Sequence, residues 1–254
     1  MTVNLLTPTT IRAAGVTKVY GPGAAGSGAT ATVHALRGVD LGIAQGRFMA
    51  IMGPSGSGKS TLMHCLAGLD RPTSGTITIE NTEITALSER QRTDLRRDRI
   101  GFVFQQYHLL PELNGSENIL LPLEIAGRRP DHDWLDTVVG ALQIGDQLDR
   151  RPSELSGGQQ QRIGIARALA ARPAVVFADE PTGNLDASSG RDVLEFLRYS
   201  TREFGQTVVM VTHDPTAAAY ADQVVLLLDG RVGGSLDAPT PETVLNALQK
   251  LKGR

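Results

Sequence analysis

Apolar positions in this chain follow three rhythms. Short runs with little polar interruption occur at 48–52, 100–104, 174–178, 207–211 and 224–228, each bounded by polar or turn-forming residues. Runs of that length read as strands. The run Ala174-Val175-Val176-Phe177-Ala178 is apolar enough to be buried on both faces, as in a parallel sheet. Stretches 11–20, 32–43 and 76–79 alternate instead, with Val33, Ala35, Val39, Leu41 and Ile43 marking the second. Period two predicts strands of an antiparallel layer.

Helical spacing takes over elsewhere. It predicts a helix over 59–67 closed by Gly68, and a charged helix and turn over 88–99. Further helices are expected over 117–126, 134–140, 159–171 and 193–204. Thr240 and Pro241 open a last helix, with Thr as N-cap and Pro in the first turn, and Val244, Leu248 and Leu251 share one face of it. The order predicts an α/β fold with a core over 10–105 and 173–235. A helical insertion lies at 106–172 and a C-terminal helix at 236–254. The Gly/Ala/Ser-rich stretch 21–30 reads as a flexible loop.

Chemistry gathers at three places. Gly53-Pro54-Ser55-Gly56-Ser57-Gly58-Lys59-Ser60 lies between a strand and a helix and is a P-loop, continued by Thr61. Its glycines let the backbone approach phosphates, and the helix start favours negative charge. Lys59 is expected on the β- and γ-phosphates and Ser60 on Mg²⁺. Only four of the 25 basic residues are Lys, so an ammonium kept inside this loop fits a role that Arg does not fill. Asp179 and Glu180 end an apolar strand. Strand alternation sends them to opposite faces, Asp179 towards Mg²⁺ and Glu180 towards an attacking water. Ser156 and Gln159 have capping-box spacing. Gly157 and Gly158, costly in a helix, would bare N–H groups for an anion such as a γ-phosphate.

These motifs, in this order, resemble the ATP-binding subunits of ABC transporters over nearly the whole chain. Leu155-Ser156-Gly157-Gly158-Gln159 is similar to their signature motif, and 160–169 continues the match. The resemblance implies an ABC-type P-loop NTPase with a mixed core sheet, an antiparallel β subdomain and an inserted α-helical subdomain. It implies that Tyr20 stacks on adenine, that Gln105 meets Mg²⁺ and water, that Asp186 belongs to the D-loop, and that His213 sits near the γ-phosphate. It further implies a head-to-tail homodimer binding ATP and Mg²⁺ between Lys59 of one copy and Ser156 of the other.

The runs Phe102-Val103-Phe104-Gln105 and 179–186 resemble the branch serving lipoprotein release, macrolide export, antimicrobial-peptide resistance and cell division. That implies a transmembrane permease as partner and a place on the inner face of the membrane. Its helix would meet apolar residues beside Gln105, with Tyr107 and Leu110 foremost, though most of 107–110 and 120–124 would simply cover the helical core. A signalling or division ATPase, controlling a sensor kinase or a wall hydrolase, would use the same residues.

Bulk properties narrow the choice. A net charge of −2 does not point to nucleic acid. The lone Cys65, in an apolar run, reads as a packing residue that excludes an internal disulfide. No apolar stretch approaches the roughly 20 residues that span a bilayer, and 1–10 lacks the pattern of a signal peptide. Translation-type or DNA-repair-type ATPases of this family carry paired domains or long coiled coils, and neither is present. Gly164, inside the helix at 159–171, has no account at this level.

Overall fold

The computed structural model describes residues 9–21 and 32–252. Apart from Gly21, the loop expected at 21–30 lies outside them, as does most of 1–10.

Two sheets organise the chain. β1 (Thr9–Tyr20), β2 (Val33–Ala44), β4 (Ser74–Ile79) and β5 (Thr82–Glu83) form an antiparallel sheet in the order β2-β1-β4-β5. The expected strand or two at 32–43 is one long strand. β3 (Phe48–Met52), β6 (Ile100–Phe104), β7 (Val175–Asp179), β8 (Thr207–Val211), β9 (Gln223–Leu228) and β10 (Arg231–Asp237) form the second, in the order β10-β9-β3-β8-β7-β6. β3, β6, β7, β8 and β9 run parallel, and β10 folds back antiparallel to β9.

The layers explain the two strand rhythms. Phe48, Ala50, Met52, Val176, Ala178, Val208, Met210, Val224 and Leu226 pack on one face of the larger sheet. Their alternates Met49, Ile51, Val175, Phe177, Val209, Val211, Val225 and Leu227 pack on the other. Both faces are covered, so these strands are apolar throughout.

The first face carries α3 (Gly115–Ile125), α4 (His132–Leu142), α5 (Gly157–Leu169), α6 (Ala187–Glu203) and α8 (Pro241–Lys252), through residues such as Leu123, Val138, Ile163, Val193 and Val244. The second carries α1 (Lys59–Leu66) and one face of the smaller sheet, through Leu62, Leu66, Ile11, Val39 and Ile77. The smaller sheet is covered on one side only, and so it alternates. Cys65 is buried here and unbonded, and burial lifts its thiol to about 12.

Local signals set the helix ends. Gly68 takes the left-handed conformation (φ 65°) just past α1. Ser88 forms a capping box with Gln91, and α2 (Glu89–Arg99) is helical throughout, without the expected turn. Thr240 accepts from the Thr243 N–H at 3.2 Å and so caps α8. Three features escape the sequence pattern. α6 begins six residues before 193, because Asp186 caps a first turn, Ala187-Ser188-Ser189-Gly190, that carries no large apolar residue to mark a periodic face. α7 (Pro215–Ala218) is a single turn. β10 holds two glycines and little apolar surface, so it shows no alternation.

Candidate functional site

Four parallel strands end in one row. Ile51 of β3 pairs with Val211 of β8, Val211 with Asp179 of β7, and Asp179 with Phe104 of β6. One residue beyond that row begin the segments carrying the P-loop, His213, Glu180 and Gln105. Ligands of open α/β sheets bind at this edge.

The P-loop is shaped by close backbone contacts. Gly58 caps α1 with φ 99° and ψ 9°, a left-handed conformation that favours glycine, and no side chain caps this helix. A Cβ there would stand 2.4 Å from the Ala35 carbonyl oxygen, and one on Gly53 would stand 2.1 Å from that of Leu227. The loop is braced from behind by the β9–β10 turn, whose Gly230 N–H donates to the Ser57 carbonyl at 3.0 Å. That turn is Asp229-Gly230, both at positive φ, the pair that suits a two-residue hairpin. Ser57 is buried, and its hydroxyl has no partner within the protein. The Lys59 ammonium arches over the loop, donating to the Gly53 and Pro54 carbonyls at 3.0 and 3.1 Å. Ser60 is exposed, while Pro54 and Thr61 are half-buried and Ser55 and Gly56 exposed.

Asp179 and Glu180 part ways for a reason other than strand alternation. β7 ends at Asp179, and Glu180 is left-handed (φ 46°), its N–H donating to Val211 O at 2.9 Å. The pleat therefore does not extend through Glu180. Its carboxylate Oε1 meets His213 Nδ1 at 2.8 Å, with Glu180 mostly covered and His213 open to solvent. Burial and the neighbouring Glu180 charge raise the pKa of Asp179, while His64 and Lys59 pull it down. The fold thus disfavours the ionised carboxylate of Asp179, and a cation placed beside it offsets that cost.

The remaining expected residues lie further out. Gln105, at the end of β6, is three strand spacings from β3, roughly 14 Å. Its amide donates to Asn184 Oδ1 at 3.4 Å, and Asn184 donates back to the Gln105 carbonyl at 3.0 Å. Tyr20 donates to Asp70 Oδ2 at 2.7 Å. Asp186 caps α6, accepting from the N–H groups of Ser188 and Ser189 and the Ser189 hydroxyl, and the Ser189 bonds lead in holding its carboxyl below the usual range.

Ser156 caps α5, closing a box in which Gln159 N–H reaches Ser156 Oγ and Ser156 N–H reaches Gln159 Oε1. The glycine pair has a packing reason as well. A Cβ on Gly157 would lie 2.7 Å from the Tyr107 hydroxyl, and one on Gly158 would lie 2.7 Å from Ser189 Oγ. The bared N–H groups that the sequence pattern suggested are thus accompanied by a steric need. Gly164 has none, since its Cβ would make only ordinary contacts.

The structure therefore gathers Lys59, Asp179, Glu180 and His213, with Gln105 at the rim. It leaves Ser156–Gln159 on the β6 and β7 side, against Tyr107 and Ser189, with no hydrogen bond to 53–61 among the described residues. Sequence reasoning missed the residues that join these parts. Buried Gln161 donates to Pro181 O at 2.6 Å, just past Glu180. Arg167 donates to the carbonyls of Tyr107 and His108, both left-handed, and Tyr107 donates to Asn184 O at 3.3 Å. Polar residues within or beside helices carry no periodic signal; of the features missed, the Asp-Gly dipeptide at 229–230 is one whose turn chemistry could have been read.

Known proteins resemble this chain in sequence and fold. The family described as ABC transporter matches residues 36–183. The macrolide export ATP-binding/permease protein MacB of Syntrophobacter fumaroxidans is 45% identical over 202 residues, covering 78% of this chain but only 28% of that longer protein. The lipoprotein-releasing system ATP-binding protein LolD of Zymomonas mobilis is 44% identical over 203 residues, covering 79% of this chain and 87% of its own length. The dimeric, post-hydrolysis structure of the ATP-binding cassette MJ0796, with ADP and Pi, superimposes with a TM-score of 0.77 at 38% identity. It covers 91% of this chain and 99% of that one, and MJ0796 comes from Methanocaldococcus jannaschii. This chain belongs to the ABC transporter family and is an ATPase of the ABC type.

Proposed function

We propose that this chain is the ATP-hydrolysing subunit of a bacterial transporter, and that two copies close head-to-tail to drive a membrane partner. The output is export or mechanotransmission of a drug, peptide, lipid or lipoprotein. The observation that carries the reading is the Glu180–His213 pair at 2.8 Å, set beside Asp179, which in turn feels the charge of Lys59.

Each residue then has a physical task. The loop from Gly53 to Thr61 wraps the phosphates, and the Lys59 ammonium exchanges its two carbonyl partners for β- and γ-phosphate oxygens. Glu180 takes the proton of the attacking water, and His213, bonded to Glu180, orients that carboxylate and the γ-phosphate. Ser60, Gln105 and Asp179 would offer Mg²⁺ the oxygen donors that suit it, and a cation beside Asp179 would offset the burial that raises its pKa. Bound with the nucleotide, Mg²⁺ would supply neutralisation of phosphate charge. Tyr20 would stack on the adenine.

The second copy would complete the site. Ser156, Gly157, Gly158 and Gln159 sit with the segments that follow β6 and β7, too far round the sheet to meet their own P-loop. In a head-to-tail pair they would reach the γ-phosphate of the partner, with Asp186 beside them. We assign the nucleotide-binding core to 10–105 and 173–235, the helical subdomain to 106–172, and the C-terminal helix to 236–254.

The membrane partner would dock beside Gln105. A cavity of about 350 Å³ opens there, with Phe102, Phe104, Leu121, Pro122 and Ile125 among its lining residues. Leu123 is buried and Leu120 packs on the core, so only part of 120–124 is available. Tyr107 is tied to Asn184, while Leu110 is exposed. No helix among the described residues is long and apolar enough to cross a membrane. Docked on such a partner, the chain would lie on the inner face of the membrane.

Glu180→Gln tests the site. It should bind MgATP, turn over about a hundredfold to a thousandfold more slowly, and accumulate as an ATP-dependent dimer on size exclusion. Wild-type turnover from this variant would remove Glu180 from the base role.

A further inference from the structure

Tyr20 is the last residue of β1, directly before Gly21, and it is held at both its hydroxyl and its ring. The hydroxyl donates to Asp70 Oδ2 at 2.7 Å. The other oxygen of Asp70 accepts from Lys18 Nζ at 2.5 Å and from the Arg71 N–H at 2.7 Å. The same ammonium donates to the Arg71 carbonyl at 2.7 Å and stands 4.8 Å from the centroid of the Tyr20 ring. Thr61, in the first turn of α1, acts on the phenol in the opposite sense to burial and Asp70, pulling its pKa down.

Asp70 is itself fixed to the end of α1, its N–H donating to His64 O at 3.1 Å. One eight-residue helix therefore carries the phosphate loop at its start and the Tyr20 anchor just past its end. Such a helix is a rigid mount for both. It sets the distance between the Tyr20 ring and the P-loop. Without the anchor, the ring would hang from the end of a strand.

We propose that Asp70 is a positioning residue: it holds the Tyr20 ring at a fixed offset from the phosphate loop and so strengthens binding through the base, not through the phosphates. The proposal rests on the reading that Tyr20 stacks on adenine. The electrostatics agree with the geometry. Burial and then the Asp70 bond push the phenol up to about 12. Burial pushes Asp70 up too, but the bonds from Lys18 and Tyr20 outweigh it and hold the carboxyl below its usual range. A purely structural Lys18–Asp70 ion pair would have no reason to discriminate ligands with a base from ligands without one.

The experiment compares MgATP with magnesium tripolyphosphate, which has no base, by calorimetry. Asp70→Ala and Tyr20→Phe should each weaken MgATP binding about fivefold, the worth of one hydrogen bond, and leave tripolyphosphate binding unchanged. Combining them should add nothing further. Asp70→Asn, which keeps an acceptor for the hydroxyl, should recover part of the loss. Ultraviolet titration gives an independent signal: in Asp70→Ala the Tyr20 phenol, relieved of the Asp70 carboxylate but still partly buried, should ionise at lower pH than in the wild-type chain. Equal weakening of both ligands, or unchanged or tighter MgATP binding in both Asp70→Ala and Tyr20→Phe, overturns the positioning role. Tyr20→Ala separates the two claims. If it weakens MgATP while Tyr20→Phe and Asp70→Ala do not, stacking stands and positioning falls. If it has no effect, both fall.

Discussion

Two of the helices that begin at glycines, α1 and α5, begin in opposite ways. α1 starts at Gly58, left-handed and without a side-chain cap, behind a loop that holds further glycines. α5 starts at Ser156, in extended conformation, with its capping box closed. The orphan donors of a helix start need partners. At α1 none comes from a cap, so the start is chemically open. At α5 two are satisfied locally, and the glycines behind the cap clear space for Tyr107 and Ser189. An open start leaves its donors to water or to a ligand, and here the close-packed glycine loop in front of it is what suits a phosphate. A closed start gives no such sign, and the second phosphate site rests on its likeness to the signature motif and on its place in a dimer.

The sharpest break in the comparison is Gly58→Ala. The new Cβ would meet the Ala35 carbonyl at 2.4 Å on a residue already at φ 99°. Backbone cannot swing aside as a side chain can. The variant should lose about 3 kcal/mol by denaturant melt and lose measurable MgATP binding with it. Retained stability and affinity would mean that the loop has slack that this geometry does not show.

Gly158→Ala should do less. Its Cβ would stand 2.7 Å from Ser189 Oγ and 2.9 Å from Ser189 Cβ, and that hydroxyl is committed to Asp186 at 2.7 Å. A loss of roughly 1–3 kcal/mol is expected from the overpacked contact. Ser189→Gly in the same chain removes the colliding atoms and should return much of the loss. Failure of that rescue would show that Gly158 is needed for something other than space.

The same contrast explains what was legible in the sequence. The P-loop could be read because its pattern and its context, strand before and helix after, state one geometry. The five parallel strands could be read because burial on both faces makes them apolar throughout. The left-handed turn at Glu180 could not, since the sequence shows two adjacent acids and the strand rule was carried one residue too far. Nor could Asp70, Asn184 or Gln161, whose partners lie 50, 79 and 20 residues away. A long-range side-chain bond leaves no periodic trace. The packing need behind Gly157 and Gly158 was hidden for the same reason, because Tyr107 and Ser189 become neighbours only after α5 and α6 fold.

Ser156→Ala has the smallest expected effect on stability and the most to say about the comparison. Removing a serine cap costs about 1 kcal/mol, which in a chain of this size lowers Tm by about 2–4 °C. If capping is the whole role of Ser156, that loss should appear with and without nucleotide, and ATP-driven dimerisation of the Glu180→Gln background should be untouched. If α5 also faces the partner's γ-phosphate, the hydroxyl is a shared donor. Dimerisation should then weaken by clearly more than the stability loss explains, while MgATP binding to the isolated subunit stays as it was. The first result would leave α5 a well-capped helix and nothing more. The second would make its closed start open to the other copy alone, since its own P-loop lies across the sheet from it.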